Sequence, residues 1–105
     1  MKNYVQKGDV LPFVTGEDLV SGQGLLIEDT FGVVALTTST GEENELALVG
    51  VYSLPMAAVT ALQFERAYWD DTNKVVTNVA SGNTLIGKFA EGGASVAELP
   101  IRLGT

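Results

Sequence analysis

The sequence predicts an all-β domain, a mostly antiparallel small barrel or sandwich. Its 105 residues suffice for one domain with a modest core, and 46% of them are hydrophobic. Short apolar runs rich in Val, Thr and Leu follow one another at close spacing, and twelve glycines supply turns between them. These runs amount to roughly seven to nine strands, an organisation typical of antiparallel barrels and sandwiches.

The first twenty residues are predicted to form an N-terminal arm or edge segment, and residues 21–105 a single β-rich domain. Residues 10–14 suit a strand, but Pro12 lacks a backbone N–H and therefore favours an edge or an arm. Such a segment can pack on its own domain or reach a neighbouring molecule. The candidate interface residues are Val10, Leu11, Pro12, Phe13, Tyr68 and Trp69.

The middle of the chain is predicted to be strands. Residues 25–38 form two strands joined at residues 28–30, and residues 39–45 form a polar turn. Residues 46–55, LALVGVYSLP, are apolar at both alternating sets of positions, which is typical of a central strand or of one covered by another subunit. Gly50 in this run indicates a bulge or a close backbone approach.

Residues 55–63 are the one segment that suits a short helix. Ser53 is placed to cap it, Pro55 suits its first turn, and the Ala and Leu residues that follow favour helix. An irregular loop fits the same composition equally well. The sequence alone leaves both alternatives open.

The C-terminal part is predicted to contain the clearest hairpin, over residues 66–80 with its turn at residues 70–74. A strand follows at residues 84–90, and the last strand covers residues 96–103. Three apolar residues of the last strand share one face: Leu99, Ile101 and Leu103. That alternation indicates a strand buried on one side.

Charge and missing residue types narrow the function. Thirteen acidic residues face six basic ones, for a net charge of −7. This argues against direct binding to nucleic acid, because Lys and Arg supply most of that affinity, and the six basic residues are scattered along the sequence. The absence of Cys and His excludes disulfides, thiol nucleophiles, imidazole bases and typical zinc sites. No cofactor is expected.

No membrane segment is predicted either. Residues 1–10 lack the apolar run of a signal peptide, and no stretch approaches the roughly 20 apolar residues of a membrane span. We therefore expect the chain to be made in the cytoplasm and kept there, or assembled there into a larger structure.

One motif suggests nucleotide binding. Residues 82–88 read GNTLIGK, which matches all but the last position of the phosphate-binding G-x-x-x-x-G-K-[ST] loop. Phe89 stands where the Ser or Thr that binds magnesium is required, and the residues that follow contain two glycines and make a poor helix. Thr84, Leu85 and Ile86 suit a strand instead. The favoured interpretation is a strand entered through a Ser-Gly-Asn turn.

Two acidic clusters are interpreted as turns. Asp70, Asp71 and Asn73 have spacing used in calcium loops, but the glycine and distal glutamate of an EF-hand are absent. Asp, Thr and Asn also close hairpins by bonding their own backbone. The cluster at residues 42–45 is interpreted as a solvated loop, since nothing in the sequence indicates a pocket that would make it catalytic.

Tyr68 and Trp69 are expected on opposite faces of a strand. One of them belongs to the core, and the other is a candidate interface anchor because Trp and Tyr are enriched at binding hot spots. Core packing is favoured for Trp69. Together these features predict an acidic, non-catalytic β domain that buries excess apolar surface by self-assembly or by docking on a larger surface.

The order of several short pieces resembles a known family. They are QKGD at residues 6–9, GEENELALVGVYSLP at 41–55, YWDD at 68–71, TLIG at 84–87 and IRL at 101–103. This arrangement resembles the tailed-phage and prophage family of small capsid cement, or decoration, proteins, some of which are labelled predicted RecA/RadA-type phage recombinases. Two positions depart from the family pattern: Met56 stands where a lysine is expected, and residues 65–67 replace a glycine-containing turn.

The resemblance implies a non-enzymatic structural protein that binds and stabilises the outside of a phage or prophage capsid shell. Its implied partners are the major capsid protein and further copies of itself, with a trimer favoured. Its implied location is the exterior of the virion after synthesis in the bacterial host cytoplasm. The family implies no catalytic, cofactor-binding or metal-binding residue.

Two alternatives from other classes remain. One is a nucleotide-binding phage recombination factor that uses residues 82–88, although the incomplete motif, the short chain and the negative charge fit it poorly. The other is a β-barrel adaptor of another part of the virion, such as the tail or the connector.

Overall fold

The computed structural model describes residues 9–104, which form eleven β-strands and no helix. The strands are β1 (Val10–Val14), β2 (Gly24–Ile27), β3 (Thr30–Val34), β4 (Glu43–Ala47), β5 (Gly50–Pro55), β6 (Thr60–Ala61), β7 (Arg66–Asp70), β8 (Val75–Thr77), β9 (Thr84–Phe89), β10 (Gly93–Ala94) and β11 (Glu98–Leu103).

The strands form two main sheets and one small ribbon, and every pairing between named strands is antiparallel. The four-stranded sheet has the order β1-β4-β3-β2, and the five-stranded sheet has the order β5-β11-β9-β7-β8. The ribbon joins β6 and β10. The sheets do not close on themselves within residues 9–104, so the predicted all-β class is confirmed as a sandwich-like fold rather than a barrel.

The main core lies between the two sheets. Most of its buried residues come from the inner face of the five-stranded sheet, and Val33 joins them from the four-stranded sheet. Phe31 of β3 packs against Trp69 of β7, with ring centroids 4.8 Å apart and an angle of 47° between the rings. This tilted aromatic pair links the two layers.

A second core cluster lies on the other face of the four-stranded sheet. Leu25, Val34 and Leu46 are buried there with Leu19, which precedes β2 and forms an isolated bridge with Thr38. Both faces of this sheet therefore carry buried apolar side chains, although a second sheet covers only one of them. Some of the apolar residues that the sequence analysis expects to be buried by another molecule are thus buried within the domain itself.

The predicted hairpins are confirmed. β2 and β3 are joined at Glu28 and Asp29, and β7 and β8 are joined at residues 71–74. The last strand is also confirmed, because Leu99, Ile101 and Leu103 are all buried while Glu98 and Arg102 are exposed.

Residues 46–55 do not form the single strand that the sequence predicts. They divide into the end of β4 and the whole of β5, and these strands belong to different sheets. Gly50 has a φ of +123°, a value that L side chains rarely adopt, and the chain crosses between the sheets just before it. The run is apolar throughout because it contributes to two sheets, so no second subunit is needed to explain its pattern.

Residues 55–63 contain no helix. They run from the end of β5 as a loop that includes the two-residue strand β6. The backbone N–H groups of Met56 and Ala57 donate to Ala97 and Val76, and Val59 accepts from Ser95. These distant partners replace the local bonds that a helix would make, and tertiary contacts commonly override weak helix propensity in this way.

The described residues include no helix long and apolar enough to cross a membrane.

Candidate functional site

The outer face of the five-stranded sheet carries three aligned cations. Arg66 of β7 lies opposite Lys88 of β9, and Lys88 lies opposite Arg102 of β11. All three side chains are exposed, while their chain neighbours Ala67, Phe89 and Ile101 are buried on the inner face. Adjacent strands lie about 4.8 Å apart, so the three residues form a row about 10 Å long. We call them the basic row.

The basic row corrects the expectation that the basic residues are scattered. They are far apart along the sequence, but the strand order β11-β9-β7 places three of them side by side. Like charges directly opposite each other destabilise a sheet. Among residues 9–104 no carboxylate lies within 4.0 Å of any of these three cations. The one ion pair found there joins Lys74 and Asp71.

Apolar side chains flank the basic row on the same face. Val51, paired with Arg102, is 58% exposed, and Leu85, paired with Tyr68, is 42% exposed. A shallow depression of about 210 Å³ lies beside the row, lined in part by Arg66, Leu85 and Lys88. Exposed cations flanked by exposed apolar side chains on one face of a sheet suit contact with another protein.

The four candidate interface residues of the N-terminal segment lie on β1, at the edge of the four-stranded sheet. β1 pairs with β4 along its whole length, from Val10 opposite Ala47 to Val14 opposite Glu43. Its other edge has no partner strand among the described residues. Val10, Leu11 and Pro12 are exposed and Phe13 is half-buried. An open strand edge can pair with another chain.

The apolar side of β1 faces a shallow groove. Leu11 and Phe13 point to the same side as Leu46, and with Ile27 they line a depression of about 270 Å³. The predicted edge strand therefore presents both unpaired backbone groups and apolar side chains. The part of the predicted arm before Asp9 lies outside the described residues, and the division of the chain at residue 20 stays a prediction.

The other two candidate residues lie on opposite faces of β7. Trp69 is only 2% exposed, and its Nε1 donates a hydrogen bond to Asp71 Oδ1 at 3.0 Å. Its side chain therefore packs in the core and is not on the surface where a partner would bind. Tyr68 is half-buried on the outer face, next to Leu85 and in the same strand as Arg66. Of Tyr68 and Trp69, Tyr68 is the residue whose side chain lies on the same surface as the basic row.

The acidic turn after β7 is held by its own side chains. Asp70 Oδ1 accepts hydrogen bonds from the backbone N–H groups of Thr72 and Asn73, and Asp70 Oδ2 accepts one from Asn73 Nδ2. These bonds, led by the Asn73 side chain, lower the pKa of Asp70. Bonds from Lys74 Nζ and then from Trp69 Nε1 lower the pKa of Asp71.

A pH dependence follows from these two carboxylates. A depressed folded-state pKa gives stability that is present above the unfolded value of about 3.9 and is lost as the pH falls through the folded value. We expect an Asp70→Asn/Asp71→Asn variant to be less stable than wild type above about pH 5, with the difference vanishing at low pH. Urea unfolding across this range measures it, and a pH-independent difference would contradict this origin.

The P-loop-like segment is a strand. Residues 84–89 form β9, Gly82 lies in the Ser81–Asn83 turn, and no helix follows in the described part of the chain. Gly87 is required for packing, because a Cβ atom there would lie 2.0 Å from the carbonyl oxygen of Arg102. Lys88 therefore belongs to the basic row on β9 and is not part of a phosphate-binding loop of backbone N–H groups.

Nucleotide binding can be tested with this residue. We expect a calorimetric titration of ATP with magnesium to give no saturable heat, with Lys88→Ala indistinguishable from wild type, since the strand offers no phosphate-binding loop. Saturable binding that disappears in Lys88→Ala would revive the nucleotide-binding alternative.

The cluster at residues 42–45 is an exposed turn and strand start. Glu42 Oε1 accepts a hydrogen bond from the Ser39 backbone N–H at 2.6 Å, while Glu43 and Glu45 point to solvent from β4. Within residues 9–104 no three acidic side chains are grouped closely enough to hold a metal ion. The described carboxylates thus serve as turn acceptors and surface charge.

The comparisons with known proteins give one match. The model of the family described as "Phage cement protein" matches residues 5–103, nearly the whole chain. No curated protein and no solved structure matches.

Proposed function

Because this chain belongs to the phage cement protein family, we propose that it binds the outside of a phage or prophage capsid shell and stabilises the shell by contact alone. The family match across residues 5–103 is the observation that carries this proposal. A protein that binds the assembled shell but not its dissociated subunits stabilises the shell by mass action. The major capsid protein is the proposed partner.

The surface chemistry supports a binding role on the exterior. The net charge of −7 disfavours contact with packaged DNA, which an exterior position avoids. The depressions in the described residues are shallow and contain no pair of acid and base groups arranged for catalysis. We propose that the protein is made in the host cytoplasm and acts without catalysing a reaction.

We propose that the segment 1–14, which includes β1, docks on the shell. Three observations support it: the open edge of β1, the exposed Val10, Leu11 and Pro12, and the groove beside Leu11 and Phe13. A strand edge next to an apolar groove suits addition of a strand from the shell, in which backbone bonds give affinity and side chains give specificity. Repetition over a symmetric shell multiplies the strength of weak single contacts.

Co-sedimentation with purified heads lacking the protein tests this proposal. We expect wild type to saturate expanded shells at a fixed stoichiometry and a variant lacking residues 1–14 to bind none. We expect Leu11→Asp to weaken binding at least tenfold, about 1.4 kcal/mol, because a carboxylate would enter the apolar contact. Leu62→Asp is the control, since Leu62 is 66% exposed and lies away from β1 in the chain and in the sheets.

Unchanged shell binding after deletion of residues 1–14 would exclude this segment as the docking element. Retention of the fold in each variant is checked by near-UV circular dichroism. Binding of wild type to tails or connectors instead of shells would support the adaptor alternative.

Self-association is part of the proposed function. We propose that the protein acts as a homo-oligomer, with a trimer favoured because three-fold junctions recur between capsomers. The exposed apolar side chains on the outer face of the five-stranded sheet support such contacts.

A further inference from the structure

Charge is divided unequally between the two sheets. Residues 9–47, which contain the four-stranded sheet and its loops, include no Lys or Arg. They include eight carboxylates, all exposed: Asp9, Glu17, Asp18, Glu28, Asp29, Glu42, Glu43 and Glu45. Residues 66–102 balance four cations with four carboxylates, and three of those cations form the basic row. The chain therefore has one strongly acidic layer and one layer with a basic row.

The acidic layer presents an array that matches the basic row in size. Glu43 and Glu45 alternate with the buried Asn44 and Leu46, so both project from the same face of β4. Residues two apart in a strand are about 7 Å apart, and the basic row is about 10 Å long. Two carboxylates from one copy therefore fit across three cations of another.

The basic row lacks its counter-charge within the described chain. Three aligned cations repel one another in the isolated molecule, and Glu43 and Glu45 make no ion pair among residues 9–104. A carboxylate from another molecule would offset the repulsion among the three cations of the basic row. Flanking Val51 and Leu85 add apolar area that the same contact would bury.

We infer that the basic row binds the acidic β4 end of a second copy of this chain, in a head-to-tail contact. The inference rests on the self-association proposed above and specifies the surfaces. In this arrangement each copy uses its basic row on one neighbour and its acidic β4 end on the other. Such a contact is heterologous, and its repetition around a rotation axis closes a ring. Complementary charge sets the orientation and the rate of association, and the apolar rim contributes affinity.

Charge reversal tests the contact in the full-length protein. The row variant is Arg66→Glu/Lys88→Glu, the end variant is Glu43→Lys/Glu45→Lys, and a third variant combines all four changes. Lys74→Glu is a control that removes a cation outside the row, in the turn after β7. Light scattering at two protein concentrations in low salt gives the mass of each.

We expect wild type and Lys74→Glu to form closed oligomers of the 11.1 kDa chain, and the row and end variants to be monomers. The combined variant is expected to recover the wild-type mass, because each of its contacts again joins opposite charges. Wild-type mass is expected to fall in 1 M salt, where the screening length is about 3 Å.

A second readout uses stability. At a protein concentration low enough for wild type to be monomeric, the single Lys88→Glu change is expected to raise the melting temperature above that of wild type, because it places a carboxylate between Arg66 and Arg102. A merely structural role for Lys88 would lower the melting temperature instead.

A monomeric wild type at both concentrations would overturn the inference, as would assembly that survives in the row variant or is not restored in the combined variant. The shell-binding assay distinguishes this failure from failure of the proposed function. A monomer that still saturates shells refutes only the head-to-tail contact, whereas a charge-dependent ring that binds no shell refutes only the cement role.

Discussion

Replacement of Trp69 by Ala is expected to cost about 3–5 kcal/mol of the free energy of unfolding, as large-to-small changes in a core do. Trp69 is 2% exposed and packs against Phe31 of the facing sheet. Its ring also approaches Gly24 closely, since a Cβ atom on Gly24 would lie 3.0 Å from it.

The loss would remove a large part of the whole stability, because domains of this size unfold with only about 5–15 kcal/mol. Urea denaturation followed by far-UV circular dichroism measures it. Trp69→Phe is expected to cost less, since it keeps most of the ring volume and loses the bond to Asp71. Tyr68→Ala, one residue away on the outer face, is the control, and an equal cost at both positions would contradict the assignment of Trp69 to the inter-sheet core.

Replacement of Gly87 by Ala is expected to cost about 3 kcal/mol or more, at the upper end of the range for overpacking. The added Cβ atom would lie 2.0 Å from the Arg102 carbonyl oxygen and 3.1 Å from the Cα atom of Leu103. These are backbone atoms, so β11 as a whole must move away from β9. β11 is the strand between β5 and β9, and its displacement would loosen three strands at once.

Gly82→Ala is the matched control within the same motif. Gly82 has a φ of +75° but nothing lies within 4 Å of its added Cβ atom, so we expect a loss of only about 1 kcal/mol from backbone strain. Thermal unfolding of both variants against wild type provides the comparison. Equal, small effects would contradict the close packing of β9 on β11.

Local pairing was predictable from the sequence, because the residues that determine it are neighbours. The turn at Glu28–Asp29 and the turn at residues 71–74 join strands that pair with each other, so turn chemistry and alternation sufficed. Leu99, Ile101 and Leu103 marked the buried face of β11 in the same way.

Non-local features were not predictable by these means. The division of residues 46–55 between two sheets depends on which partners β4 and β5 find, and alternation within the run does not contain that information. Residues 55–63 depend on backbone bonds to Val76 and Ala97 from later in the chain. In both places tertiary partners decided the local structure.

The basic row shows the same limit at a candidate site. Arg66, Lys88 and Arg102 are 22 and 14 residues apart in sequence, and only the order β11-β9-β7 brings them together. The sequence did contain a partial signal, because Arg102 lies on the polar face of the last predicted strand. Strand order was needed to find its two neighbours, whereas the β1 candidates lay in one segment and could be selected directly.

Heating of packaged heads tests most directly whether this protein stabilises a capsid shell from outside. Heads that lack the protein are compared with the same heads saturated by it, and release of DNA is followed with an intercalating dye as temperature rises. The cement role predicts release at a higher temperature for the saturated heads, with the shift reversed when the protein is removed. An unchanged release temperature at full occupancy would contradict it.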